Sequence, residues 1–366
     1  MNPLKQLHEL GQSIWLDFID RPLMNSGQLQ QLIEEDGIRG ITSNPAIFEK
    51  AITGGTDYDE DVRRLAGEGL SNEAIFYRVA VADIQRAADV LLPVYEDKVS
   101  GADGFVSLEV SPRLALDTDK TLEQARQLWQ AVQRPNVMIK IPGTQPGLPA
   151  IRQAIAEGIN INVTLLFSLD RYAAVAEAYM AGLEDRLAAG HPIDQLASVA
   201  SFFISRIDTV VDPILVERGL PQLKGQTAIA LAKQAYALYG RLFEGERFEK
   251  LAARGATPQR LLWASTGSKD PDFSPIKYVE ALIGPKTVDT VPMDTLNAYR
   301  DTGQPEVRLP GHDAESLQVL EQVQQAGVDL MAVAEQLETE GIAKFNQPYD
   351  KLLEAIDTQK QALTAG

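Results

Sequence analysis

The sequence contains no cysteine and only three histidines in 366 residues. Disulfides, thiol nucleophiles and cysteine–metal sites are therefore excluded. His8, His191 and His312 fall in an N-terminal helical stretch and in loops, without the spacing of a zinc site. No Ser–His pairing stands out. Basic residues are also scarce, with 34 Lys and Arg against 51 Asp and Glu and a net charge of −17. Nucleic acids and anionic membranes need a surplus of cations, so neither is an expected partner. Phosphorylated small molecules need only a few local cations and stay open. No apolar run approaches the ~18 residues of a membrane helix. Residues 1–12 read as a polar helix, not as a signal segment. The expectation is a soluble, cytoplasmic protein, as monomer or homodimer.

What is present is an alternation. Short β-rich runs at 13–18, 40–43, 105–110, 136–141, 160–166, 198–203, 260–265 and 286–291 are separated by longer stretches. Helical apolar spacing marks 122–132, 149–157, 169–187 and 225–241. Eight strands alternating with helices is the count of an α/β protein with a closed (β/α)8 TIM-type barrel. The length fits one such domain over 1–366, with extra helices at both ends. Residues 49–70 read as an irregular insertion, and a helical tail begins at about 311. Ser168 is placed to cap the helix after it, and Pro45 to start another.

Side chains alternate across a strand. Asp17 opposes Leu16 and Phe18, and Glu109 opposes Leu108 and Val110. Lys140 and Met138 oppose Val137, Ile139 and Ile141. Asn160, Asn162 and Thr164 oppose Ile161, Val163 and Leu165. If the apolar faces pack on helices, then Asp17, Glu109, Lys140, Asn162 and Thr164 converge inside the barrel. Two plainer readings compete: polar faces turned to solvent in a half-exposed sheet, or a buried Lys–Glu pair with a structural role.

A desolvated lysine amine is a nucleophile for ketones, and the iminium it forms is an electron sink for carbon–carbon cleavage. Such chemistry needs acid–base groups beside the amine. Lys140 is the candidate nucleophile and Glu109 the proton relay. Asp17 is the candidate acid/base on the substrate hydroxyl. Thr164 is the candidate to hold a water for Glu109, and Asn44 and Asn162 to orient substrate hydroxyls. Gly143 and Gly147 match no phosphate loop or dinucleotide fingerprint. Phosphate is expected on late loops, at Ser201 and Arg206 and in the donor-rich stretch Ser265-Thr266-Gly267-Ser268-Lys269.

The run Gly40-Ile41-Thr42-Ser43-Asn44-Pro45-Ala46-Ile47-Phe48 resembles the first transaldolase signature. Asn136-Val137-Met138-Ile139-Lys140-Ile141-Pro142-Gly143-Thr144, continuing to Asn162-Val163-Thr164-Leu165-Leu166-Phe167-Ser168, resembles the second. The likeness runs from Ser13 to Val291 in strand order, and the chain length is similar to that of the longer transaldolase subfamily. The resemblance implies a cofactor-free barrel enzyme of the pentose phosphate pathway. It would transfer dihydroxyacetone from sedoheptulose 7-phosphate to glyceraldehyde 3-phosphate through a Schiff base. It also implies the same Lys140, Glu109, Asp17, Asn44, Asn162 and Thr164, with Ser201 and Arg206 at the phosphate. Many family members carry Arg after the seventh strand, where this chain has Ser268 and Lys269. The rival functions are a fructose 6-phosphate aldolase-like enzyme, an isomerase without a covalent step, and a non-catalytic sugar-phosphate binder.

Overall fold

The structure, a computed structural model, describes residues 2–97 and 102–364. Eight strands close into a barrel in sequence order. They are β1 (Gln12–Leu16), β2 (Gly40–Ile41), β3 (Phe105–Glu109), β4 (Val137–Pro142), β5 (Ile161–Leu166), β6 (Ser198–Phe203), β7 (Arg260–Ala264) and β8 (Thr287–Val291). All eight expected runs are strands. Every pairing is parallel, including β1 with β8, so each connection must cross back over the outside, and helices fill those crossovers. The half-exposed antiparallel reading is thereby excluded.

Helix boundaries follow local chemistry. The Ser168 side chain accepts from Arg171 N and opens the Leu169–Ala188 helix. Asn44 accepts from Ile47 N ahead of Pro45, opening the Pro45–Thr53 helix. One expectation fails: residues 49–70 are mostly helical, as Pro45–Thr53 and Asp59–Gly67. Gly54 and Gly55 break the stretch. Three acidic residues then suit the positive N-terminal end of the second helix, and Val62 and Leu65 give it a buried face. The long Asn72–Glu96 helix follows, capped by Ser71. The tail forms two helices, Asp313–Gln325 and Leu330–Thr364. The second, called the tail helix below, packs on Pro45–Thr53 and reaches the C-terminal mouth of the barrel.

Register fixes what fills the barrel. Parallel neighbours in register point to the same side, so Glu109, Lys140 and Asn162 form one inward row. Lower down, Trp15 fills the interior where Gly40 leaves room: a Cβ on Gly40 would lie 2.5 Å from the indole. The floor is polar. Buried Asp103 pairs with Arg260 at 2.8 Å and Arg39 at 3.1 Å, and accepts from Ser13 at 2.7 Å and Trp15 Nε1 at 3.2 Å. Near the end of β5 the expected alternation breaks. Leu165 has φ 63° and the register with β6 shifts between Val163 and Leu166. Leu165 therefore does not continue the helix-facing face of Ile161 and Val163. It meets the tail helix at Gly341, where a Cβ would lie 2.9 Å from it.

Candidate active site

The inward row ends at the mouth. Lys140 Nζ lies 3.4 Å from Glu109 Oε2 and donates to the Ser43 carbonyl at 3.3 Å. Both side chains are almost wholly buried, at 7% and 3% exposure. Neither Glu109 oxygen has a hydrogen bond among the described residues. Burial pushes the Glu109 carboxyl up to about 7, against the pull of the Lys140 charge. A carboxyl in that range gives and takes protons readily near neutrality.

β1 stops at Leu16, so Asp17 stands just past its end and not within it. Burial raises its pKa, opposed first by Lys140 and then by the Thr42 hydroxyl, Lys269 and Arg206. Thr42 donates to Asp17 Oδ1 at 2.6 Å, and Thr290 is 2.7 Å from Thr42. Since Thr42 spends its proton on Asp17, Thr290 must donate to Thr42. Sequence reasoning missed both threonines, because only barrel closure brings β8 beside β1 and β2.

Asn162 is held from both sides. Its Nδ2 donates to Ser107 at 3.0 Å and its Oδ1 accepts from Ser201 at 2.7 Å. Ser201 was expected at a phosphate, but its proton is committed to Asn162. Thr164 Oγ1 is buried without a hydrogen-bond partner among the described residues. Asn44 uses Oδ1 as the helix cap at 3.1 Å, which leaves its NH2 to a ligand.

Two cations stand beside this group. Arg206 opens the Ser205–Glu217 helix, and one of its guanidinium nitrogens is buried without a hydrogen-bond partner among the described residues. Lys269, in the loop after β7, is more exposed. Burial lowers both pKa values, and Arg206 lowers that of Lys269 further. Among the described residues neither is in an ion pair. Two like charges without an ion-pair partner among the described residues, in a partly buried site, suit a phosphate. The neighbouring serines serve the loop itself. Ser268 donates to the Asp270 carbonyl at 3.0 Å. Ser265, at φ 57°, lies 3.0 Å from the Ser205 hydroxyl.

The tail helix supplies one group that nothing local in the sequence marked. The Phe345 ring lies 5.5 Å from Lys140 Nζ and 5.9 Å from the Arg206 guanidinium. It covers the amine with an apolar face between two cations. The ion pair of Glu338 with Arg171, at 3.0 Å, fastens the tail helix over the mouth.

A buried amine, two carboxyl groups with raised pKa values, oriented amide and hydroxyl groups, and two nearby cations can together process a phosphorylated ketose. The chain matches the family model described as Transaldolase/Fructose-6-phosphate aldolase over residues 14–356. It is 48% identical to a Transaldolase of Saccharopolyspora erythraea over 361 residues, covering 97% of each chain. It is 48% identical to a Transaldolase of Thermobifida fusca over 367 residues, covering 99% of this chain and 100% of the other. A protein of Nostoc punctiforme named Transaldolase 2 is 45% identical over 377 residues, covering 99% of each. By sequence along nearly its whole length, and by the barrel that carries its lysine, this chain belongs to the transaldolase/fructose-6-phosphate aldolase family.

Proposed function

We propose that this protein is a transaldolase that moves a dihydroxyacetone unit between sugar phosphates through a Schiff base on Lys140. The reading rests most on the Lys140–Glu109 contact of 3.4 Å inside a barrel that excludes bulk water. The Lys140 amine adds to C2 of sedoheptulose 7-phosphate. Glu109 takes the proton released from nitrogen and returns it to the departing hydroxyl, so water leaves and an iminium remains. Thr164 holds the water through which this proton passes. Asp17 removes the proton of the C4 hydroxyl as the C3–C4 bond breaks, and the bond electrons flow into the iminium to give an enamine. Erythrose 4-phosphate leaves and glyceraldehyde 3-phosphate enters. The enamine attacks its aldehyde, Asp17 returns the proton to the new alkoxide, and hydrolysis frees fructose 6-phosphate.

Asn44 and Asn162 fix the hydroxyls of the three-carbon unit, and fixed orientation lowers the barrier of each step. Arg206 and Lys269 hold the phosphate, with Ser265 and Ser268 shaping its loop and Ser201 acting through Asn162. The reaction draws on no cofactor in this scheme. It goes with a cytoplasmic location, because sugar phosphates carry charges that do not cross lipid.

Borohydride added with fructose 6-phosphate should leave a reduced three-carbon adduct on Lys140, read by peptide mass. An unmodified Lys140 under conditions of turnover would falsify the covalent route and favour an isomerase. Supplying fructose 6-phosphate with and without erythrose 4-phosphate then separates transfer from free aldol cleavage. Product formed equally well without the acceptor would assign the chain to the aldolase branch.

A further inference from the structure

β8 presents two adjacent polar residues to opposite faces of the sheet. Thr290 points inward and serves Asp17 through Thr42. Asp289 therefore points outward, toward the helices, as does its in-register neighbour Trp263 on β7. Asp289 is fully buried there. Among the described residues it is in no ion pair. Its one hydrogen bond among them comes from Thr266, whose Oγ1 donates to Oδ1 at 2.8 Å, and Oδ2 has no partner. Burial pushes this carboxyl up to about 7, against the pull of the Thr266 hydroxyl. An apolar side chain would fill the space between sheet and helices at less cost. The carboxyl is explained by what it holds.

It holds the loop after β7, which carries Lys269. That loop is pinned residue by residue. The Ser265 carbonyl accepts from the Ser205 hydroxyl at 2.6 Å and from the Ser205 amide at 3.0 Å, with Ser265 at φ 57°. Thr266 is buried and its hydroxyl proton is committed to Asp289, so it does not serve as a phosphate ligand. Gly267 runs so close to the Met293–Thr302 helix that a Cβ would lie 3.1 Å from Thr295 Oγ1. Ser268 closes the turn on the Asp270 carbonyl. Ser205 thus ties the loop to the segment that carries Arg206, and Asp289 ties it to the barrel wall. A lysine charge rides on a flexible stem. Where the Lys269 amine stands relative to Arg206 and Asp17, whose charges it feels, depends on how firmly the backbone beneath it is held.

We propose that Asp289 is a positioning residue for phosphate: through Thr266 it fixes the loop that presents Lys269 beside Arg206, and so sets the preference for phosphorylated over unphosphorylated sugars. This rests on the reading of Lys269 and Arg206 as the phosphate site. Asp289 lies on the opposite face of β8 from the reacting groups. Its loss is felt in the hold on phosphate and not in the chemistry at Lys140.

The test is Thr266→Val in the full chain, with fructose 6-phosphate as donor and either erythrose 4-phosphate or erythrose as acceptor. In a two-step transfer, kcat/KM for the acceptor reports only the half-reaction that consumes it. The expected value falls about tenfold for erythrose 4-phosphate, the effect of one hydrogen bond to a charged group, and stays within about twofold for erythrose. The inhibition constant of inorganic phosphate should rise by the same factor as the first. Thr266→Ser, which keeps the hydroxyl, should restore the parent ratio of the two acceptors. Equal losses for both acceptors mark a packing role and overturn the proposal, as does a ratio that does not move. Should Thr266→Val not fold, Asp289→Asn decides: it keeps the shape with a weaker acceptor and should lower the ratio about threefold, and a parent-like ratio there overturns the proposal. Lys269→Met separates the two readings. If it leaves kcat/KM for erythrose 4-phosphate unchanged, the phosphate site is misplaced and the anchor falls with it. If it lowers that value while Thr266→Val does not, only the anchor is wrong.

Discussion

Asp103 and Glu109 bracket β3, one at the floor of the barrel and one at its mouth, and burial penalises both as anions. At the floor, Arg260, Arg39 and Ser13 surround Asp103 and hold its carboxyl below its ordinary value, outweighing burial. At the mouth, Glu109 has one amine at 3.4 Å and, among the described residues, no hydrogen bond to either oxygen, so burial wins and its pKa rises to about 7. The same barrel thus ionises one acid firmly and leaves the other poised. The difference lies in the number of donors each end supplies, not in depth. A satisfied charge braces the fold, and an unsatisfied one is available to move a proton.

Stability and activity should therefore separate along the barrel axis. The largest effect is expected at the mouth. Lys140→Met should cut transfer on the order of 10⁴-fold and abolish the borohydride adduct while leaving the urea midpoint little changed. A variant that retains a tenth of the activity would remove the amine from the mechanism. At the floor, Asp103→Asn removes the carboxylate that Arg260 and Arg39 share, leaving Arg39 only its 4.0 Å contact with Asp97, and should cost about 3–5 kcal/mol in urea unfolding. The kcat of its folded fraction should stay within about twofold of the parent; a large kcat loss would show the two ends to be coupled.

Glu109→Gln should lower kcat/KM about 10²-fold, and it tests the pH argument as well. Glu109 must ionise before it can accept the proton released from nitrogen, so kcat/KM should rise with pH through about 7. That limb should vanish in Glu109→Gln. Stability runs the other way at this site. A carboxyl raised from 4.5 to about 7 makes a contribution that is complete below 4.5 and lost as pH climbs through 7. Asp103, with its lowered pKa, contributes above the ordinary carboxylate range and is lost only in acid. The smallest expected effect is at the roof. Phe345→Leu should reduce transfer about three- to tenfold, the size of one cation–π contact, and raise free cleavage of fructose 6-phosphate without acceptor. An unchanged ratio of cleavage to transfer would show that the roof does not keep water from the enamine.

The barrel was legible because its signals are local and periodic. Alternation within 105–110, 136–141 and 160–166 placed Glu109, Lys140 and Asn162 on one face, and their common row follows once parallel neighbours pair. Asp17 was assigned to a strand that ends one residue earlier. Misreading 49–70 as irregular came from giving Gly54, Gly55 and the acidic run more weight than the apolar spacing of Val62 and Leu65. Leu165 departs from the pattern because a register shift is a relation between two strands and leaves no mark on either alone.

Strand order, the inward lysine and its carboxylates, and the helix starts at Asn44 and Ser168 were determined by the sequence itself, since periodicity and capping depend on neighbours a few residues apart. The Thr290–Thr42–Asp17 chain, the Phe345 roof and the commitment of Ser201 to Asn162 were decided only by tertiary structure. Each joins groups far apart along the chain, and their contacts exist only after the barrel has closed and the tail has folded back across it.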